Sequence, residues 1–374
     1  MKARIALLKS MYAARPYQDT RPLEIVEVEL DEPGPGELRV KMAAAGLCHS
    51  DLSVINGDRP RDMPVALGHE ASGVVEAVGP GVNRFSPGDH VVLVFVPSCG
   101  HCVPCASGRP ALCEPGAAAA AKGTLISGER RLRYKGELIN HHIGVSAFST
   151  HAVVSENSCV KIDKSIPLDR AALLGCAVLT GVGAVLNSGE LKMGQSCAVI
   201  GLGGVGLAGL LGAVAAGAET IIAADPAGHK RALALELGAT HAIDPADDNA
   251  VAEVKAITGG GVDLAVELAG AAAALKFAYD ITRRGGTTVT GGLPNPKAEL
   301  SIPAVSLTVG EQTLKGSYVG SCVPVRDIPR FAAMMQSGKL PIEKLMTHTI
   351  SLDEINEGFE RLAAGDAIRQ VIVF

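Results

Sequence analysis

The 374-residue sequence has no tryptophan and only 3% aromatic residues. Its core must therefore be aliphatic, which suits helices packed on parallel strands. There is no excess of positive charge: 34 Lys and Arg stand against 39 Asp and Glu, a net charge of −5. That balance provides no basic face for nucleic acid and no polybasic patch for a membrane surface. No apolar run is long enough for a clear membrane span, since turn residues break the most apolar windows. The N-terminus, MKARIALLKSMYAARPY, has an apolar stretch of only four residues, Ile5 to Leu8, with no small-residue cleavage site behind it. A secretion signal is not expected, and a soluble cytoplasmic protein is. What the chain does have is bulk: 47% apolar residues over this length allow two or three domains.

Nine cysteines in such a chain do not read as a disulfide framework. Four of them, Cys99, Cys102, Cys105 and Cys113, lie in "PSCGHCVPCASGRPALC" with the spacing C-x2-C-x2-C-x7-C. Gly100, Pro104, Gly108 and Pro110 fold the segment into turns that can aim four sulfurs at one centre. A closed tetrahedral zinc site is the natural product, and with no open coordination position it is structural. A redox pair, Cys99–Cys102 or Cys102–Cys105, is the alternative.

A second set of ligand types is dispersed: Cys48 in "GLCHSD", His69 in "GHE", and Cys176 in "GCAVLTG". Together they would make a Cys2His zinc site with its fourth position open. Taken singly, a lone Cys reads as a small buried hydrophobe and a lone His as a satisfied core residue. Spacing alone does not bring the three together.

The segment "SCAVIGLGGVGLAGLLGAVAAGAETIIAAD" supplies a full strand–turn–helix–strand context. Its G-x-G-x-x-G is Gly201, Gly203 and Gly206, with Gly204 and Val205 opening the helix, and Asp225 ends the second strand. Such a turn places pyrophosphate on a helix N-terminus and ribose hydroxyls on the acid. A carboxylate there repels a 2′-phosphate and no Arg directly follows it, so NAD is expected rather than NADP. The alternation continues through "VDLAVELAG", "GGTTVTGGL" and "TLKGSYVG", six strands in all, as in a doubly wound α/β sheet over about 195–320. The N-terminal part, rich in Val with Gly and Pro turns, reads as mostly β.

With these residues in hand, the chain resembles the zinc-dependent medium-chain alcohol dehydrogenases over essentially its full length. The carriers are "GLCHSD", "LGHEASGVVEAVGPGV", "GDHVV", the four-cysteine lobe, "GC…TG", "GLGGVG" and "EINEGFERL". "GVSAFSTHAVV" followed by "VKID" is similar to the longer branch, which holds animal alcohol dehydrogenases, glutathione-dependent formaldehyde dehydrogenases and bacterial aryl-alcohol enzymes. The resemblance implies a GroES-like, mostly-β catalytic domain over 1–177 with a structural zinc lobe at about 95–115. A Rossmann NAD-binding domain would span 178–322, and 323–374 would return to the catalytic domain. It implies two Zn2+ per subunit, one held by Cys48, His69 and Cys176 with Glu70 as alternate or second-shell ligand, the other by Cys99, Cys102, Cys105 and Cys113. Asp51 would orient His69. Asp225 and Lys230 would flank the adenosine ribose, Arg369 the pyrophosphate, Leu293 the nicotinamide, and Thr180 would lie at the hinge of the cofactor face. A zinc-bound alkoxide would give hydride to NAD while Ser50 passes the proton toward the ribose. A helix cap is the alternative role for Ser50.

Three positions depart from the pattern. Ser53 replaces the imidazole that often ends the relay, so protons are expected to leave through water or another group. His49 replaces an arginine on the pyrophosphate, a weaker phosphate contact. Ala117, in "CEPGAAAAAKG", replaces the arginine that holds glutathione in the formaldehyde enzymes. Reversible oxidation of primary alcohols, aromatic or medium-chain aliphatic, to aldehydes is therefore expected, with a glutathione-type formaldehyde dehydrogenase as the alternative. A cysteine-based redox sensor or a zinc-ribbon nucleic-acid module is disfavoured by the intact zinc set, Ser50 and the net charge. The small-molecule alcohol or aldehyde is the expected partner, with no nucleic acid and no membrane. A homodimer or homotetramer is expected through the edge "TLKGSYVGS". No role falls to His101, His141, His142 or His151, and Cys159, Cys197 and Cys322 read as buried structural residues.

Overall fold

Alternating strands broken by Gly and Pro turns build the N-terminal part as a closed five-stranded barrel and a seven-stranded sheet. The computed structural model describes residues 1–374 and divides into two units. One is Met1–Cys176 with Val323–Gln336 and Met346–Phe374; the other is Ala177–Cys322 with Ser337–Leu345. No single helix is long and apolar enough to cross a membrane.

In the first unit, the barrel strands are Lys2–Leu8, Leu23–Leu30, Leu132–Tyr134, Glu137–His141 and Val65–Ala66. Leu7, Ile5, Leu30 and Ile139 fill it. Glu37–Gly46 is the centre of the larger sheet and pairs with Ala71–Val78, His151–Ser155 and Arg369–Val373. The C-terminal strand is thus sewn back beside the first half of the chain. Phe148 and Phe359, edge to face at 5.8 Å, close the aliphatic core between sheet and C-terminal helix. The return is not continuous, contrary to expectation for 323–374. Ser337–Leu345 belongs to the second unit, because its turn Ile342–Leu345, with Ile342 and Leu345 fully buried, packs against the helix Gly204–Ala215.

The second unit is one parallel sheet ordered His241–Ile243, Thr220–Ala224, Ser196–Ile200, Val262–Glu267, Thr282–Thr290, Thr313–Gly316. Its central strands, Ser196–Ile200, Thr220–Ala224 and Val262–Glu267, are mostly Val, Ile, Leu and Ala, as suits strands covered by helices on both faces. The order reverses beside Ser196–Ile200, which sets the glycine-rich turn at the switch point where such sheets take ligands. The last strand is shorter than "TLKGSYVG" predicts. Val319, Gly320 and Ser321 all have positive φ, so pairing ends at Gly316.

His141 is buried in the barrel wall, where its Nε2 accepts from the Arg131 N–H at 3.1 Å and its Nδ1 lies 3.2 Å from Ser146 Oγ. Burial, then the charges of Arg130 and Arg131, push it down from 6.5 to about 3. Above the unfolded value both states are neutral. As pH falls from about 6.5 toward about 3, the unfolded chain takes a proton that the folded one refuses, at a cost of about 2 kcal/mol by pH 5. His141→Gln is expected to flatten the fall in the urea midpoint between pH 7 and pH 5; a slope equal to the parent's would contradict it.

Candidate active site

Two strand registers bring the dispersed ligand types together. Ala45 pairs with Ala71, so Cys48, three residues after the first, and His69, two before the second, leave the sheet at the same end. Cys176 arrives from the 3-10 turn Ala172–Gly175, where a Cβ on Gly175 would stand 2.3 Å from Leu93 O. Leu93 itself pairs with Ala71. Only a glycine lets that turn close on the strand and deliver Cys176.

The donor atoms of Cys48, His69 and Cys176 lie within 4.8 Å of one another, and all three residues are buried. Asp51 Oδ2 is 3.0 Å from His69 Nδ1, which turns Nε2 toward the sulfurs. With Zn–S about 2.3 Å and Zn–N about 2.0 Å, a tetrahedral S–N edge is about 3.5 Å. The Cys176 Sγ–His69 Nε2 separation is 3.5 Å. The thiols of Cys48 and Cys176 hydrogen-bond each other, which holds Cys48 well below its ordinary range and Cys176 well above it. A cation would take both as thiolates. The donor set and its spacing fit a zinc with one position left open.

Glu70 lies outside that set. Its Oε2 is 3.2 Å from Arg369 Nη1, and Arg369 also donates to Leu47 O at 3.0 Å. The register explains this neighbour: Val371 pairs with Gly46, so Arg369 is carried to the same end of the sheet.

The four sulfurs of Cys99, Cys102, Cys105 and Cys113 also lie within 4.8 Å of one another. Gly100 and Gly108 take positive φ at the turns, Pro104 lies in the first turn of Val103–Ala106, and Pro110 opens Pro110–Leu112. Backbone N–H groups point at sulfur: Cys99 N and Gly116 N at Cys113 Sγ (3.2 and 3.4 Å), and Cys102 N at Cys99 Sγ (3.3 Å). The N–H groups of His101 and Cys102 lower the Cys99 thiol to about 6. None of the nine cysteines is in a disulfide.

In the second unit, a Cβ on Gly206 would fall 1.7 Å from Gly201 O, whereas one on Gly203 would meet nothing within 4 Å. Gly206 is therefore required by the fold itself, and Gly203 opens on the space a phosphate would take. Gly204 and Val205 form the first turn of Gly204–Ala215. Asp225 is buried and braces the turn: Oδ2 accepts from Leu202 N (2.8 Å) and Oδ1 from Ala227 N (2.9 Å). Each oxygen keeps a second lone pair for a hydroxyl. Arg231, six residues on, is held by Asp225 O, Pro226 O and Asp244 Oδ2.

A family model described as zinc-binding dehydrogenase matches residues 204–337, and one described as alcohol dehydrogenase GroES-like domain matches residues 34–164. The NDMA-dependent alcohol dehydrogenase of Amycolatopsis methanolica is 42% identical over 357 residues, 94% of this chain and 96% of that one. The chain belongs to the zinc-dependent medium-chain alcohol dehydrogenases. Two solved structures in this group are similar along their whole length. An alcohol dehydrogenase zinc-binding domain protein from Burkholderia ambifaria has TM-score 0.94 at 36% identity, covering 100% of this chain and 99% of its own. Benzyl alcohol dehydrogenase from Acinetobacter calcoaceticus has TM-score 0.93 at 33% identity, with the same coverage.

The remaining expected site residues of this alcohol dehydrogenase fall as follows. Ser50 lies inside the first turn of His49–Ile55, with Cys48 at the N-cap position, so capping is not its role. His49 is exposed at the helix start. Ser53 donates to His49 O at 2.8 Å and serves its own helix. Thr180 is in Ala177–Gly183, Lys230 in Gly228–Glu236, and Leu293 is exposed in the loop after Thr282–Thr290. Three residues escaped the sequence reading. Phe95 stands edge-on to His69 at 5.1 Å, an aromatic wall beside the Cys48–His69–Cys176 set in a chain with few aromatics. Buried Glu267 ties two loops at the sheet's carboxyl end, accepting from Gly270 N (2.6 Å) and Thr290 Oγ1 (2.7 Å). His142 is the third: its Nε2 is 3.4 Å from Asp51 Oδ1, and burial lowers it to about 4. The sequence signal for Glu267 was its place at a strand's carboxyl end; for Phe95 and His142 there was none.

Proposed function

We propose that this enzyme oxidises primary alcohols, aromatic or medium-chain aliphatic, to aldehydes with NAD as hydride acceptor, and catalyses the reverse reduction. The observation that carries the reading is the buried Cys48–His69–Cys176 set, three donors converging on one point. A zinc ion there supplies Lewis acidity to a substrate oxygen, and NAD supplies the hydride acceptor. Asp51 keeps His69 in the tautomer whose Nε2 is a ligand. Ser50 would relay the hydroxyl proton of the alcohol, accepting it as its own proton passes on toward the ribose. Phe95 gives the substrate an apolar wall, which suits an aryl or alkyl chain, and the benzyl alcohol dehydrogenase among the structural relatives supports that class. Cys99, Cys102, Cys105 and Cys113 hold the second zinc. Arg369 and Glu70 act as a buried pair beside the catalytic set.

NAD is preferred over NADP because Asp225 meets the adenosine ribose and Arg231 is already engaged by three oxygens. The turn built by Gly201, Gly203 and Gly206 receives the pyrophosphate at Gly203, while Gly206 lets the helix close on Gly201. Lys230 flanks the ribose, Thr180 lies on the cofactor face, and Leu293 meets the nicotinamide. Gly203→Ala is expected to leave the melting temperature unchanged and to weaken NADH binding at least about tenfold, since only the ligand needs that space. Gly206→Val should fail to give folded second unit, because its side chain starts in contact with backbone. Equal effects of the two would contradict the assignment.

Nine cysteines with none in a disulfide suit a reducing cytoplasm. The edge strand Thr313–Gly316, with exposed Val305 and Val309 on the preceding helix, supports a homodimer or homotetramer.

The test is turnover of ethanol, hexanol, benzyl and cinnamyl alcohols, and formaldehyde with and without glutathione, each with NAD and with NDMA as oxidant. NADH formation from the larger free alcohols is the expected result. Turnover only with NDMA would replace NAD as the exchanged acceptor, in line with the NDMA-dependent relative. Turnover only of formaldehyde with glutathione would mean that the exposed Ala117 position is not needed to hold the thiol adduct.

A further inference from the structure

The Asp51 carboxylate is completely buried and faces three groups. Its Oδ2 takes His69 Nδ1 at 3.0 Å. Its Oδ1 accepts from Gly68 N at 3.0 Å and stands 3.4 Å from His142 Nε2. The His142 ring is itself packed edge-on to His69, centroids 5.7 Å apart at 70°. Neither nitrogen of His142 makes a hydrogen bond of good geometry, and Asp51 Oδ1, 3.4 Å away, is the acceptor that faces Nε2. A neutral imidazole has one N–H to give, and the carboxylate is the acceptor in front of it.

The fold goes to some length to hold that ring. Ala66 and His141 are partners in a parallel pair, so the segments leading to His69 and to His142 leave the barrel at the same end. The next turn is locked from both sides. His142 N donates to Ser146 Oγ (3.1 Å), Val145 N donates to His142 O (3.1 Å), and Ser146 Oγ also meets His141 Nδ1. Ile143 and Ser146, neither a glycine, sit at φ 42° and 57°. Left-handed backbone at two non-glycine residues persists only where the surroundings over-determine it. Surface loops do not need this; a side chain that must stay in one place does.

We propose that His142 is a positioning residue for the catalytic metal: its Nε2–H pins Asp51 Oδ1, so that Oδ2 stays aimed at His69 Nδ1. Without that donor, Oδ1 keeps only the Gly68 N–H, and the carboxylate can swing about it. His69 then loses the partner that fixes its ring and its tautomer. The inference rests on reading Cys48, His69 and Cys176 as a zinc site.

The experiment compares the parent holoenzyme with His142→Phe, which fills the space without a donor, and His142→Gln, which keeps a donor. Zinc transfer to a coloured chelator is followed, with the four-cysteine zinc as internal reference, and the visible spectrum is taken after cobalt(II) replaces the catalytic zinc. His142→Phe is expected to release the catalytic zinc about 10–100-fold faster and to shift the cobalt bands, with the second zinc unaffected. His142→Gln should recover most of the loss. Release from His142→Phe within about twofold of the parent, or equal release from both variants, would overturn the proposal. So would loss of both metals together, which marks general loosening. If His142→Phe does not fold, 15N shifts of the histidines in the parent decide: Nε2 protonated and Nδ1 bare is expected, and the opposite tautomer overturns it. A parent that holds only the four-cysteine zinc would instead remove the zinc-site reading and the proposal with it.

Discussion

Cys176→Ser is expected to lower kcat/KM for benzyl alcohol by at least about a thousandfold, or about 4 kcal/mol of transition-state stabilisation. The bound zinc should fall from two to one per chain. Cys176 and His69 already stand at the spacing of two corners of a zinc tetrahedron, 3.5 Å apart. Serine matches cysteine in size but is a poor ligand for zinc at neutral pH, so one corner goes and the ion with it. The cost to folding should be small, about 1–2 kcal/mol for a buried hydroxyl with an imperfect partner. Zinc content by atomic absorption, kinetics and a thermal melt therefore separate a lost centre from a lost fold. A variant with two zincs and near-parent kcat would refute the ligand assignment.

Cys105→Ser is expected to have the opposite profile, a large loss of stability from the lobe. Between Gly100 and Leu112 only Pro110 and Ala111 are buried, while Val103 is 78% and Leu112 45% exposed. The lobe thus has almost no apolar core, and four sulfurs are its centre. Structural zinc of this kind contributes folding free energy outright. A net loss of about 3–5 kcal/mol corresponds to roughly 10 °C in the melting temperature of a domain this size. Amides of the lobe and of Glu114–Ala121, whose first turn is capped by Cys113 Sγ, should exchange with deuterium far faster than in the parent. Exchange unchanged across that segment would show that the lobe stands without its metal.

Much of this was legible in the order of residues. The run C-x2-C-x2-C-x7-C carries its own turns, and Gly100, Pro104, Gly108 and Pro110 sit where the chain reverses. The glycine-rich turn is equally local. Gly206 is there because it meets Gly201 O five residues back, and Asp225 closes the same unit. The end of "TLKGSYVG" was misread because Val and Tyr favour strands, while a positive-φ turn at Val319 to Ser321 overrode them. The return of 323–374 was misread because nothing in the sequence says which unit Leu340, Ile342 and Leu345 bury against.

The sequence by itself determined the four-cysteine lobe, the nucleotide-type turn and the parallel α/β alternation, because each is made of residues close along the chain. Cβ-level sterics and turn preferences act at that range. Only the tertiary structure decided that Cys48, His69 and Cys176 meet, that Arg369 comes to lie against Glu70, and that His142 faces Asp51. Those meetings depend on strand register, Ala45 on Ala71, Val371 on Gly46 and Ala66 on His141. Register is set by which face of each strand the whole core buries, and that is a property of the assembled sheet, not of any one segment.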